Sequence, residues 1–265
     1  MTQMDGVVWQ LRTDKAIQAL KNGKRLDGRA NDEYRKVQVK SGISENAEAS
    51  CWLKLGETEV IAGIKMLPKE PFPDTPNEGA ISVGAEFLSI ASPTFETGPP
   101  SEESIELSRV VDRGIRESKC LDLESLCLEE GEKVWNIFVD IYALNDDGNL
   151  MDASSLASLI ALQQAKIPKL DSEYNIVKDE FKGKLKLHRL PVLSTFAKVG
   201  STIVLDPILV EEKAQTARFS VATTEDNYLS AFQKGMGGSF SLQEINEMIE
   251  IALKRGKELR KHAKE

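Results

Sequence analysis

Histidine is nearly absent: His188 and His262 are the only two in 265 residues. A zinc site, or a mechanism built on a histidine base, would have to rest on one of them unaided, which argues against both. Cysteine is scarce as well. Cys51, Cys120 and Cys127 are odd in number and lack metal-ligand spacing, which fits reduced thiols in a cytoplasmic setting. No apolar run approaches the length that spans a bilayer, and the opening MTQMDGVVWQLRTDK is polar and acidic, unlike a secretion signal. A surplus of positive charge is also missing. The formal net charge is −8, whereas an independent nucleic-acid binder draws most of its affinity from basic residues. Contact with RNA or DNA would need a local patch or a more basic partner.

What is present is an ordinary globular balance, 41% hydrophobic and 29% charged, enough for one large domain or two modest ones. Residues 7–23 carry Val8, Leu11, Ile17 and Leu20 at helical spacing and stop at Gly23. Lys36–Met66 alternates with period two, which predicts two or three antiparallel strands with a hairpin at Gly56. Leu67–Asn77 holds four prolines and reads as a loop, Gly79–Ile90 as a strand and Ser92–Ser101 as a second loop. Lys133–Leu144 is apolar on nearly both faces, as central strands are. Asp152 is expected to cap a buried helix running to Lys166 and ended by Pro168. Lys169–Arg189 is polar and reads as a connecting excursion.

Strands follow at Pro191–Lys198, Thr202–Leu205, Arg218–Thr223 and Tyr228–Lys234. Ser241 with Glu244 forms a capping box for a C-terminal helix lined by Ile245, Met248, Ile249, Ala252, Gly256 and Leu259. The order predicts an α+β or mixed α/β fold in two related halves. Its segments are an N-terminal helix (1–24), a first half (25–168), a connector (169–189) and a second half with the C-terminal helix (190–265).

Two stretches carry candidate chemistry. In the first, Asp206, Glu211 and Glu212 lie in a polar turn between two strands, with Arg218 opening the second. Clustered carboxylates suit a hard cation and metal-assisted phosphoryl transfer. Arg218, permanently charged, would compete for them. The other possibility is a helix-capping Asp206 in a solvated acidic turn. In the second stretch, Glu102–Lys119, Leu107, Val110, Val111, Gly114 and Ile115 form a stripe for burial. Arg109, Arg113 and Arg116 form a row on the opposite face. Asp112 with Arg116 and Glu106 with Arg109 are expected helix pairs, while Arg109 and Arg113 repel unless an anion lies between them. The remaining cations read as solvated: Lys21, Lys24, Arg25 and Arg29, the last pairing with Asp27 or Asp32, and the charged helix end KRGKELRKHAKE.

Six motifs then fall in order. They are RLDGR at Arg25–Arg29, LGETEVIAG at Leu55–Gly63, IELSRVVDRGIR at Ile105–Arg116, VDIYALNDDGNLMDASSLASLIAL at Val139–Leu162, LDPILVEE at Leu205–Glu212 and KGMGGSFSLQEI at Lys234–Ile245. Together they resemble the RNase PH-fold family, and within it the non-catalytic core-ring subunits of archaeal exosomes. The resemblance implies a ribosomal-protein-S5-domain-2-like arrangement of mixed strands and helices. Active members shorten RNA from its 3′ end: inorganic phosphate attacks the last phosphodiester and a nucleoside diphosphate leaves. Their phosphate clamp is a Gly followed by Ser or Thr and then Arg. The matching positions here read Gly148, Asn149, Leu150, Met151, Asp152, with Leu and Met in place of the donating hydroxyl and guanidinium. Their two aspartates match Glu212, a mild change, and Arg218, a reversal of charge.

The resemblance therefore implies no catalytic residue, metal or cofactor in this chain. It implies contact with single-stranded RNA through Arg109, Arg113 and Arg116. It also implies a catalytic RNase PH-like exosome subunit as partner in a ring of three heterodimers, with RNA-binding cap subunits. Two alternatives stay open: an autonomous phosphorolytic exoribonuclease, and a purely structural ring subunit whose arginines are merely solvated.

Overall fold

The computed structural model describes residues 3–263. The chain opens with helix α1 (Gln3–Lys21), anchored by its last turns, where buried Ala16 and Leu20 sit close to the second half of the chain. Leu20 packs on Ala197, Val199 and Val204. Val7, Val8 and Leu11, although at helical spacing, stay 49–65% exposed.

The first sheet runs in the order β1 (Val37–Ser41), β2 (Ala49–Leu55), β3 (Thr58–Lys69), β6 (Lys133–Asn145), β4 (Ala80–Phe87), with β5 (Cys127–Glu129) on the end of β6. The period-two pattern sets its register. Thr58, Val60, Ala62, Ile64 and Met66 of β3 all turn inward, and a slip of one residue would expose every one of them. Gly56 makes the β2–β3 turn at φ 61°. Its lack of a side chain matters twice, because a Cβ there would fall 2.3 Å from Cδ of Arg35. Strands β4 and β6 are parallel, so a crossover must join them; it includes helix α2 (Glu102–Glu117), capped by Ser101.

Helix α3 (Leu150–Gln164) is buried from Leu150 through Leu162. One side packs on β2 and β3 and another on β9 of the second sheet, which is why its sequence is apolar or small all round. That second sheet is ordered β10 (Thr202–Leu205), β9 (Val192–Val199), β11 (Ala217–Thr223), β12 (Leu229–Gly235). Leu193, Ala222 and Ala231 face Val110 of α2 and Met151 of α3. Phe196, Phe219 and Val221 point the other way, onto Met248 and Ala252 of helix α5 (Leu242–His262). The layers are sheet, helices, sheet, helix.

Five local expectations change. The cap of α3 is Asn149, in the left-handed region at φ 58°, and Asp152 lies inside the helix. That helix ends at Gln164 rather than Lys166, because Ala165 turns extended to begin β7 (Lys166–Leu170), which pairs with β8 (Ile176–Lys184). Much of the polar 169–189 connector is thus a hairpin. Its turn is held by the Asp171 carboxylate, which accepts from the backbone of Glu173 and Asn175. The acidic turn contains a short helix, α4 (Leu209–Ala214). Arg260 of the charged helix end is buried and donates to the Thr223 carbonyl. Among the described residues, no helix is long and apolar enough to cross a membrane.

Leu159 is fully buried in α3 and Leu242 is 75% exposed at the start of α5. Leu159→Ala is expected to lower the unfolding free energy by about 3 kcal/mol. Leu242→Ala should change it by less than about 0.5 kcal/mol. Urea titrations of the two variants beside the parent chain check both values.

Candidate functional site

The acidic stretch after β10 is neither solvated nor open. Asp206 and Glu211 are 0% and 1% exposed. Asp206 holds a left-handed φ of 50° that turns its carboxylate inward, and Ile208, not Asp206, is the N-cap residue of α4. Arg35 grips that carboxylate from three directions: Nε at 2.9 Å, Nη2 at 2.7 Å and the backbone N–H at 2.8 Å. Arg29 Nη1 donates to it at 2.9 Å and Asn149 Nδ2 at 2.7 Å. Arg29 also makes the local pair with Asp27.

Arg25 is not a solvated cation. Its Nε donates to Glu211 at 2.9 Å, and Nη1 and Nη2 donate to the carbonyls of Leu205 and Asp206. Arg35 had no mark in the sequence, sitting unpatterned in DEYRK. It is nonetheless the centre of the cluster, with further bonds to the carbonyls of Asp147 and Gly148.

The ground where a phosphate clamp would project is equally filled. Gly148 lies at φ 85°, pressed so close to the start of α4 that a Cβ would meet Leu209 N at 2.5 Å. Leu150 and Met151 are buried in two hydrophobic clusters. Asn149 donates from its backbone to Glu212 at 2.7 Å and from its amide to Asp152 at 3.0 Å. Asp152 also accepts from Tyr34 Oη and Thr195 N, both at 2.9 Å. Burial nevertheless holds the Asp152 carboxyl up at about 6. Burial also lifts Glu212 to about 7, against the Asn149 bond and the charges of Arg218 and Arg35. A phosphate would meet side-chain donors already turned to other acceptors, Asn149 to Asp152 and Asp206 and Arg35 to Asp206 and the Gly148 carbonyl. A cation would find Asp206 and Glu211 already held by arginines, so the residues do not fit a metal site.

Arg218, second in β11, does not turn to these carboxylates. Its guanidinium pairs with Glu106 on α2. The expected Glu106–Arg109 pair is therefore not made, whereas Asp112 and Arg116 do pair, at 2.7 Å. The arginines stand on one ridge of α2 between β4 and β12. Arg109 is exposed and has no hydrogen bond or ion pair among the described residues. Arg113 is half-buried and donates to Gln233 Oε1 at 3.3 Å and to the Phe232 carbonyl at 3.4 Å. Arg116 also reaches the Ile81 carbonyl at 3.2 Å. His188 is exposed beside Arg116 in a cleft it shares with Lys119 and Glu78.

Two substitutions test the cluster. Asp206→Asn keeps the shape but removes the buried charge that Arg29 and Arg35 share, leaving them only the more exposed Asp27 and Asp147, and it should cost about 3–5 kcal/mol in denaturant unfolding. Glu212 titrates near 7 in the folded chain against an ordinary 4.5. The folded state thus holds an extra proton between those values. The resulting stability is fully present below the lower value and lost as pH rises through the higher. Glu212→Gln should therefore flatten the pH dependence of stability between pH 5 and 8 by on the order of 1–2 kcal/mol, with Asp152 supplying part of what remains.

Comparison with known proteins places this geometry. Domain 1 of the 3′ exoribonuclease (RNase PH) family matches residues 33–168 and domain 2 matches residues 189–255. Exosome complex component Rrp42 of Thermococcus gammatolerans is 48% identical, over 94% of this chain and 92% of that protein. A chain of the Archaeoglobus fulgidus exosome, solved with RNA bound to the active site, superposes with a TM-score of 0.90 at 42% identity, covering 97% of this chain and 99% of that one. A chain of an archaeal exosome core gives 0.88 at 40% identity, covering 99% and 100%. With both domains matched and such relatives aligned nearly end to end, the chain belongs to the 3′ exoribonuclease (RNase PH) family.

Proposed function

We propose that the chain is a ring subunit of an archaeal exosome that performs no chemistry itself. It completes the active site of a catalytic RNase PH-like partner and holds RNA during 3′-to-5′ phosphorolysis. The observation that carries the non-catalytic part is the internal saturation of the catalytic ground. Leu150 and Met151 are core residues, the neighbouring carboxylates are taken up by arginines or by burial, and Arg218 stands where active members carry an aspartate. Phosphorolysis needs donors that are free until phosphate and the leaving oxygen arrive. There the side-chain donors are already turned to other acceptors.

Arg109, Arg113 and Arg116 supply the RNA contact in this reading. They lie along one ridge, Arg109 and Arg116 exposed and Arg113 half-buried, and Arg109 has no ion pair among the described residues, so a phosphate backbone would relieve the repulsion within the row. The acidic whole chain, at −8, fits a subunit that meets single-stranded RNA beside others, in a cytoplasmic ring of three heterodimers carrying RNA-binding cap subunits. A purely structural role is the second reading. What favours it is that Arg113 and Arg116 already have partners of their own in Gln233 and Asp112.

A phosphate-dependent decay assay on single-stranded RNA, with this chain alone, the catalytic partner alone and both together, tests the main reading. Nucleoside diphosphate is expected from the complex and not from this chain; release by this chain alone would sink the proposal. In the complex, Arg113→Glu with Arg116→Glu should weaken RNA binding by roughly ten-fold or more and reduce the salt slope by about 1 to 2. Unchanged affinity and slope would instead establish the structural reading.

A further inference from the structure

Glu106 and Arg109 stand three residues apart on α2, a spacing that normally pairs them and would cancel one cation of the row. Two residues of the second half prevent this. Arg218 pairs with Glu106 Oε1, and Gln233 Nε2 donates to the same oxygen at 3.0 Å. Gln233 then uses its other end on the row, accepting from Arg113 Nη1 at 3.3 Å. An amide donates from one end and accepts at the other, so a carboxylate fixed on the NH2 side turns the oxygen toward Arg113. Arg218, Glu106, Gln233 and Arg113 thus alternate donor and acceptor from the second sheet to the ridge of α2.

The seat of Arg218 is built for it. Gly235 is its cross-strand partner, and a Cβ there would lie 2.7 Å from Nη2 and 3.0 Å from Cζ of the guanidinium. The Arg218 side chain is 16% exposed and that of Glu106 32%, so the pair is partly shielded from water and loses less to screening than the surface pairs do.

We propose that Arg218 is a positioning residue for RNA binding. By holding Glu106 it leaves Arg109 uncompensated, and through Gln233 it orients Arg113. This rests on the RNA-contact reading of the row. Without the Arg218 cation, Glu106 falls back on Arg109, and an incoming phosphate loses one contact and meets a fresh negative charge.

The test measures binding of an unstructured single-stranded RNA oligomer across a salt series, in the complex reconstituted with the catalytic partner. The variants are Arg218→Met, Glu106→Gln, the two combined, and Arg113→Glu with Arg116→Glu. Arg218→Met is expected to weaken binding about five-fold and to lower the salt slope by about 0.7, the equivalent of one phosphate contact. Adding Glu106→Gln should restore most of both, because the released charge is then gone. Wild-type binding by Arg218→Met overturns the proposal, as does a loss that Glu106→Gln fails to rescue, which would mean structural damage. Wild-type binding by the Arg113 and Arg116 double variant removes the reading beneath it instead. If Arg218→Met does not assemble, Gly235→Ala takes its place. Its Cβ displaces the guanidinium while leaving every charge in the chain, and it carries the same expectation and the same rescue.

Discussion

One buried carboxylate holds the architecture together. Asp206 gathers Arg29 and Arg35 from the segment before β1, and Asn149 from the start of α3, onto the end of β10. These groups come from both halves of the chain and from the link between α1 and β1. A charge so deep is tolerable because guanidiniums and an amide surround it, and those guanidiniums are in turn tolerable because of the charge. The neighbouring Arg25–Glu211 pair repeats the arrangement at the start of α4. These bonds fix the start of α4, and with it Glu212, while Ala214 at its end packs on the Leu20, Ala197, Val199 and Val204 cluster.

An active site keeps polar groups available, whereas a structural cluster uses them up. In this chain the groups around Asp206 meet the second condition. Asn149 donates to Asp152, Asp206 and Glu212 at once, and the two following residues are core. Arg109, by contrast, lies exposed on a helix ridge remote in sequence from the carboxylates, with no ion pair among the described residues. Arg218 belongs to both regions, since its charge is felt by Glu212 while its hydrogen bond goes to Glu106.

Periodic features were legible from the sequence. The inward alternation of β3, the all-round burial of α3, the Ser241–Glu244 capping box and the arginine ridge each repeat a local spacing that one side of an element must bury or expose. Non-local polar pairing was not legible. Arg25 meets Glu211 and Arg35 meets Asp206 across most of the chain, and no period or propensity connects them. Glu106 was assigned to Arg109 because helix spacing alone decides when no second sheet is in view. The β7–β8 hairpin escaped for a different reason: β8 is exposed for most of its length, so it carries none of the alternation that burial imposes. Its Asp171 turn was the available signal.

The burial of α3 on two opposite sides also governs the order in which the molecule can be made. A nascent chain that has emerged only as far as the first sheet has one side of α3 covered and the other, bearing Met151, facing water, because Leu193 of β9 has yet to be synthesised. Asp206, which fixes Arg35, comes later still. Until β9 and β10 are present, the first half has an apolar side of α3 without its cover and Arg35 without the Asp206 carboxylate. Covering the second side of α3 is thus a task that only the C-terminal part of the chain can perform.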